Sequence, residues 1–427
     1  MKRKVIDELI NWKTDTQDTP ILLTGAKGVG KTYLAYDFAK SFFEHFYYIN
    51  FEREPLQSML FKQPENIKAS LLSHFAIPEE QSSSDRILIL DEVSFCREAL
   101  SAIKDNCLAG AFDYVITITS HPLPTEFKPE FHVICIHPLD FDEFLRATGN
   151  DWYIEAILNH YNTSSKIPDI VHKELLTLHQ LYLKIGGMPG VVNEYLNLFS
   201  TLNVSELHSI IIGSYHDFIL RDNSDSDALK MNQVLDSLVH QLMKENKKFQ
   251  YKIIRKGTTH AMYRDAIRKL LDQNYVIRCN KISSDQLEHP SIQTILNNSM
   301  EEDNSNFKLY LPDTGLLYSK INEEQGLDGI KVYQRSLMEN YVAQALQAKN
   351  YPFAFWESDS MAKVDFIIAK DHELLPIEVF LGENTRSKSI SVLKQKYDFP
   401  YAIKISAKNF EYSNLVKYVP YYAVFCL

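Results

Sequence analysis

At 427 residues the chain is too long for a single hydrophobic core and should fold as two or three domains. A hydrophobic share of 45% and a charged share of 23% are ordinary for a soluble globular protein, and a net charge of −10 argues against a surface coated all over for nucleic acid. The five cysteines, Cys96, Cys107, Cys135, Cys279 and Cys426, are scattered without a C-x-x-C, which supports neither a disulfide framework nor a zinc ribbon and fits a reducing compartment.

The N-terminal stretch MKRKVIDELINWK is amphipathic and does not have the form of a signal peptide. No apolar run approaches the roughly eighteen residues a membrane helix needs, so a cytoplasmic protein with no membrane contact is expected. The first element of consequence is the apolar run Ile21–Leu23, a buried strand by pattern. It leads into GAKGVGKT, Gly25 to Thr32, which fits the phosphate-binding pattern G-x-x-x-x-G-K-[ST] at every fixed position. A helix-compatible stretch, Tyr33 to Phe43, follows. Glycines at 25, 28 and 30 let the backbone of Gly25, Ala26, Lys27, Gly28, Val29 and Gly30 turn its N–H groups around a phosphate. Lys31 can reach the β- and γ-phosphates, and Thr32 can hold Mg²⁺ through its hydroxyl. A bare glycine-rich turn is the weaker alternative.

Ile87-Leu88-Ile89-Leu90 reads as a strand buried on both faces, and it ends in Asp91-Glu92. Asp91 stands where a carboxylate would hold the magnesium through water, and Glu92 could polarise the attacking water as general base. About sixty residues separate Lys31 from Asp91, room for an extra strand, and Tyr47–Phe51 (YYINF) supplies it. This points to the P-loop ATPases with an added central strand and a catalytic glutamate. Tyr114–Thr119 (YVITIT) is a further strand that brings Ser120 to its tip, either to sense the γ-phosphate or position water, or as a plain strand end. Phe131–Ile136 is the next strand, and HPLDFDEFL starts a helix at Asp140. Alternating strands and helices over residues 1–150 imply a mostly parallel sheet covered on both faces.

Residues 151–227 read as a helical lid interrupted by GGMPG, Gly186 to Gly190. Its turn either sets Pro189 against the adenine or is an ordinary interhelical turn. Residues 228–312 read as a winged helix. Helical segments cover Leu229–Met243 and Met262–Leu271, the second capped by Thr258 or Thr259, and the strands Tyr275–Cys279 and Phe307–Leu311 flank a polar loop, Lys281–Asn306. Between His240 and Ser283 eleven Lys or Arg stand against three acids, a local basic surface. If it binds DNA, Arg264, Arg268 and Lys269 are the expected contacts. Solvated helix faces are lysine-rich as well.

From residue 313 onward, Glu339 lies on a helix, SLMENYVAQAL, and Asp365 and Glu378 on two strands, Val364–Ile368 and Leu375–Phe380. Three acids so placed resemble a PD-(D/E)xK nuclease core, in which a lysine two residues after the Glu activates water. That position is Phe380 here, and Lys363 or Lys388 could substitute only by an unusual geometry. A degenerate, inactive site is the expectation.

Taken in order, GAKGVGKT, ILILDE, HPLDFDEFL, GGMPG, LYLPDTGLL, SLMENYVAQAL and VDFII followed by PIEV resemble the prokaryotic AAA-type ATPases that carry a C-terminal domain of unknown function with a restriction-endonuclease-like fold. The resemblance spans nearly the whole chain. It implies an α/β protein with a P-loop ATPase core, a helical lid, a winged helix and a nuclease-like tail, with ATP and Mg²⁺ as ligands and Pro189 meeting the nucleotide. Three departures stand out. Pro129-Glu130 occupy the place of a usual Gly-Arg pair, with only Lys128 nearby; Thr119 replaces a more usual glycine; and Phe380 replaces a lysine common in relatives. Without that arginine hydrolysis should be slow, and Arg97, Arg146 and Arg221 are the candidates to replace it. The expected function is an ATP-dependent conformational switch. The alternatives are a nucleotide-gated DNA-binding protein and, behind it, a metal nuclease, with a homo-oligomer or protein partner left open.

Overall fold

A computed structural model describes residues 2–15, 19–78, 85–283, 285–287, 294–295, 297–298, 305–358, 362–370 and 373–427. It divides into two compact units, Lys2–His137 and Pro138–Leu427. The first division therefore falls short of the expected boundary at residue 150.

The first unit contains α1 (Val5–Thr14), β1 (Ile21–Thr24), α2 (Lys31–Phe42), β2 (His45–Asn50), α3 (Ile67–His74), β3 (Arg86–Asp91), α4 (Arg97–Lys104), β4 (Tyr114–Ile118) and β5 (His132–Cys135). The five strands form a parallel sheet in the order β2-β3-β4-β1-β5. β3 is buried at every position, as its unbroken apolar run requires of a strand covered on both faces. The strand expected at Tyr47–Phe51 is present as β2, but at the edge of the sheet, where β3 is its one partner among the described strands. The central place between β1 and β3 belongs to β4, whose Val115–Ile118 are buried. The half-buried His45–Tyr48 of β2 suit an edge.

The second unit opens with α5 (Phe141–Ala147). Its N-cap Asp140 and Glu143 form the reciprocal capping box that HPLDFDEFL encodes. Helices α6 (Trp152–Thr163), α7 (Asp169–Ile185), α8 (Pro189–Leu198) and α9 (Val204–Asp222) follow. The GGMPG turn between α7 and α8 is tightly built. A Cβ at Gly187 would lie 2.0 Å from Leu139 O, and one at Gly186, where φ is +75°, would lie 2.2 Å from the Asp313 carboxylate. Asp313 caps the helix Thr314–Val332 and accepts the Gly187 N–H at 2.6 Å, so two separated motifs meet at one buried carboxylate. Burial pushes the Asp313 carboxyl up to about 6.

Helices α10 (Asp225–Leu242), α11 (Tyr251–Ile254) and α12 (His260–Asp272) precede the antiparallel ribbon β6 (Ile277–Lys281) and β7 (Phe307–Tyr310). This is the element order expected for a winged helix, but the ribbon is no free wing. β6 pairs in parallel with β8 (Phe353–Glu357), and β7 is buried along its whole length. With β9 (Lys363–Lys370), β10 (Glu373–Val379), β11 (Ala402–Ser406), β12 (Glu411–Ser413) and β13 (Val416–Pro420), the described strands form one sheet in the order β12-β13-β11-β10-β9-β8-β6-β7. The boundary expected at 312/313 thus runs through a continuous sheet, because Phe307 and Leu309 are needed as core. Most of the expected loop Lys281–Asn306 lies outside the described residues. Among the described residues, no helix is long and apolar enough to cross a membrane.

Candidate functional site

The turn after β1 depends on glycine, most tightly at its two ends. Gly25 has φ +131°, and a Cβ there would lie 2.2 Å from Ile136 O; Gly30 has φ +90° at the N-cap of α2. Between them Ala26 and Val29 are buried, which anchors the loop from beneath. Lys31, the first residue of α2, is 6% exposed, and its ammonium donates to Gly25 O at 2.8 Å and Ala26 O at 3.1 Å. The lysine thus points back across the loop that would cradle a phosphate. Burial lowers its pKa to about 8, although Glu92 and Asp91 pull the other way.

Thr32 lies exposed beside it and donates its hydroxyl proton to Asp91 Oδ2 at 2.9 Å. Asp91, at the end of β3, also accepts from Tyr48 OH at 2.7 Å and Asn50 Nδ2 at 3.1 Å. Glu92 is 8% exposed and sits at φ +51°, a left-handed conformation that costs a residue with a side chain about 1–3 kcal/mol. Its carboxylate accepts the Ser120 backbone N–H at 3.0 Å and the Ser120 hydroxyl at 2.6 Å, with His121 Nδ1 3.7 Å away. Burial alone would raise the Glu92 carboxyl. The interactions with His121 and Ser120 and the Lys31 charge outweigh it and hold the group at about 2.

Lys31, Thr32, Asp91, Glu92 and Ser120 are therefore gathered at one edge of the sheet, as their sequence positions imply. Ser120 binds Glu92 directly, a contact the sequence did not indicate. Tyr48, Asn50 and His121 are the residues that sequence reasoning missed. The alternation of Tyr48 and Asn50 in YYIN was the available signal, since it sends both side chains to the face that the register brings beside Asp91. A hydroxyl with its hydrogen committed to a carboxylate, next to a buried ammonium, fits an oxygen-seeking cation such as Mg²⁺ and the phosphates it accompanies.

Pro189 is the first residue of α8 and belongs to the second unit, whereas the P-loop belongs to the first. Of the candidate arginines, Arg97 is in the first unit and pairs with Glu126 at 2.5 Å. Arg146 and Arg221, in the second unit, lie 4.0 Å from Asp142 and 2.7 Å from Asp222. Pro129-Glu130 form part of a short 3-10 turn.

The basic surface is smaller than the count in sequence suggested. Lys247 is buried against Glu339, Lys248 pairs with Glu357 at 2.8 Å, Lys269 pairs with Asp227 of α10 at 2.7 Å, and the Arg278 guanidinium lies over the Phe307 ring. Lys269 thus fastens α12 to α10. Arg264 and Arg268 stand on the outer face of α12 on either side of Asp265, at 3.6 and 3.8 Å.

Glu339, Asp365 and Glu378 are all buried in the second unit, but protein cations accompany them. Glu339 Oε1 accepts from Lys247 Nζ at 2.8 Å and Arg335 Nε at 3.1 Å, and its Oε2 lies 3.6 Å from Lys308 Nζ. Arg335 also reaches both Asp365 oxygens at 3.2 Å, and Asp365 takes the Val379 N–H at 2.8 Å. Glu378 accepts from Ser387 at 2.6 Å and lies 3.7 Å from Lys404, its register partner on β11. Burial would raise the Glu339 carboxyl, but Lys308, Lys247 and Arg335 hold it at about 2. For Asp365 burial prevails, aided by Glu339, and its pKa is raised. Lys363 and Lys388, expected as possible substitutes for the missing lysine, are not among these partners; Lys363 instead lies 3.9 Å from the exposed Glu245. With lysines and an arginine set against the three carboxylates, this donor set does not fit a divalent metal, and among the described residues no group of three or more Asp, Glu, His or Cys is arranged to hold one.

The AAA domain family matches residues 17–145, the span that holds every residue of the P-loop site. Residues 17–145 form an AAA-type P-loop ATPase domain. Two domains of unknown function match the remainder, DUF8612 over residues 177–326 and DUF4143 over residues 335–424. No curated protein matches the chain. Among solved structures, a Walker-type ATPase of Pyrococcus abyssi is similar at 14% identity and a TM-score of 0.41, over 75% of this chain and 95% of that one. The Pif1 helicase of Candida albicans is similar at 14% identity and a TM-score of 0.25, over 42% of this chain and 47% of that one.

Two expectations follow for the ATPase domain and the carboxylate cluster. Lys31 is charged only below about 8 in the free protein. Its burial therefore costs stability at lower pH, and that cost is relieved as pH rises from about 8 toward the ordinary lysine value. A phosphate at the loop restores the charge, so between those limits ATP binding should take up a proton and weaken with rising pH. Calorimetry at about pH 9 in buffers of different ionisation enthalpy checks this; uptake absent from the wild type would contradict it. In the cluster, Glu339→Gln leaves three cations with one fewer buried counter-charge and should cost about 3–5 kcal/mol in denaturant unfolding. A loss under about 1 kcal/mol would mean that the cluster is solvated.

Proposed function

We propose that the chain is a Mg²⁺-dependent ATP hydrolase of slow turnover, in which the nucleotide state of the ATPase domain sets the state of the unit formed by residues 138–427. The observation that carries this reading is the convergence of Lys31, Thr32, Asp91, Glu92 and Ser120 at one sheet edge. The loop backbone from Gly25 to Gly30 and the Lys31 ammonium bind the β- and γ-phosphates. Thr32 and Asp91 hold the cation, which when bound screens the charge of the phosphate oxygens.

Glu92 serves as general base. It is ionised at neutral pH because its neighbours hold its pKa low, and it orients water toward the γ-phosphate once it exchanges one of the Ser120 contacts for that water. Two features support slow turnover: the Glu92 carboxylate begins the cycle engaged by Ser120, and the usual arginine is replaced by Pro129-Glu130. A stabilising arginine is worth several orders of magnitude in rate where it exists. Pro189, on the turn held by Asp313, is the proposed point of contact between lid and nucleotide.

DNA binding with little hydrolysis is the second reading, favoured by the exposed outer face of α12 with Arg264 and Arg268. The binding of Lys247, Lys248 and Lys269 to internal acids makes it the weaker one. A nuclease is not supported, since cations of the protein fill the carboxylate cluster.

Phosphate release from ATP with Mg²⁺, compared between wild type and Glu92→Gln with and without duplex DNA, tests both readings. The switch reading expects slow wild-type turnover that Glu92→Gln lowers by about 100-fold or more. Equal rates in the two proteins would reject Glu92 as base. Acceleration by DNA together with a salt-dependent DNA shift would make DNA the input; absence of both would remove the second reading.

A further inference from the structure

One oxygen of Asp91 takes three donors. Thr32 Oγ1 lies 2.9 Å, Tyr48 OH 2.7 Å and Asn50 Nδ2 3.1 Å from Oδ2, while the Glu92 N–H lies 3.0 Å from Oδ1. Thr32 belongs to the phosphate-binding motif. Tyr48 and Asn50 do not; they come from the edge strand, where alternation puts both on one face and the register sets Asn50 directly opposite Asp91. Asn50 is fixed in turn. Its Oδ1 accepts the backbone N–H of Arg53 at 2.8 Å, which commits the amide oxygen and leaves the nitrogen to face Asp91. The same nitrogen lies 3.1 Å from the Tyr48 hydroxyl oxygen, so the three side chains form a closed triangle. At 6% exposure, Asn50 has little water available to replace these bonds.

We propose that Tyr48 and Asn50 are positioning residues for the divalent cation that accompanies ATP. They hold the Asp91 carboxylate in the one orientation in which it keeps the proton of the Thr32 hydroxyl. This rests on the reading of Thr32 and Asp91 as the cation-binding pair. With its hydrogen committed to Asp91, the Thr32 oxygen presents only lone pairs outward, as a hard cation requires. A carboxylate free to turn about its side-chain bonds would release that hydrogen for part of the time, and the hydroxyl would then offer a donor where an acceptor is needed. Neither Tyr48 nor Asn50 touches the reacting atoms. Both act through Asp91, and partners of this kind change metal affinity by roughly 10–100-fold when removed.

The test is a Mg²⁺ titration of the full-length protein with a fluorescent N-methylanthraniloyl ATP, set against binding of the same nucleotide in EDTA. Wild type is compared with Tyr48→Phe, which keeps the ring and removes only the hydroxyl, with Asn50→Leu, and with Asp91→Asn as reference; thermal unfolding reports on the fold. The Mg²⁺ midpoint is expected to rise about tenfold or more in Tyr48→Phe and Asn50→Leu. Affinity in EDTA should stay within about twofold, since no phosphate contact is altered. A merely structural role would shift both conditions together. An unchanged Mg²⁺ midpoint in folded Tyr48→Phe overturns this proposal while leaving the ATPase reading intact. An unchanged midpoint in Asp91→Asn, or no nucleotide binding by the wild type at all, overturns the reading on which it rests.

Discussion

A parallel sheet covered on both faces can bring polar side chains to solvent only at its strand ends, and the ATPase domain is organised around that constraint. β1, β2, β3 and β4 finish at one edge with Gly25, Asn50, Asp91 and Ser120 next to one another in space. Every group of the site is therefore delivered by a strand terminus or by the helix that follows it. The interior of the sheet is free to be apolar, and the charged groups of the site stand at that edge. Lys31 illustrates the consequence: it is buried against two loop carbonyls because nothing at that edge is far from the backbone.

The second unit applies the same ingredients to a different end. Glu339, Asp365 and Glu378, which in sequence resemble a metal centre, are instead neutralised by Lys247, Lys308, Arg335 and Lys404 from four different segments. Buried carboxylates accept either a metal or protein cations, and the energetic demand, a counter-charge in a low-dielectric interior, is the same. Here the cations come from the segment after α10, from β7, from the helix Gln334–Ala348 and from β11. The cluster ties these elements together where a catalytic metal would tie carboxylates alone. Asp313 has a comparable role at the GGMPG turn, where it caps one helix and receives the Gly187 N–H.

Much of the candidate site was legible because its motif is local. GAKGVGKT names its own glycines, lysine and threonine within eight residues, and ILILDE ends a strand whose burial its composition announces. What depends on register or on distant segments was not legible. Tyr48 and Asn50 matter only because β2 pairs with β3 in one register, and the place of β2 at the edge, with β4 at the centre, is a matter of topology that spacing does not encode. The partners of Glu339 were hidden for the same reason, since Lys247 is 92 positions away in sequence. The ribbon β6–β7 read correctly as two strands, but its merger with β8 follows from core packing of Phe307 and Leu309 and could not be read from the ribbon itself. A count of lysines likewise gave no warning that Lys247, Lys248 and Lys269 were already engaged.

The loop from Gly25 to Thr32 is proposed to be a nucleotide site completed by Lys31. Calorimetric titration of Mg²⁺–ATP into wild type and Lys31→Met decides whether it is. The account predicts that the wild type binds and that Lys31→Met, which keeps the bulk but removes the charge, loses at least about 100-fold in affinity, or about 2.7 kcal/mol. Equal affinity in the two proteins would contradict it.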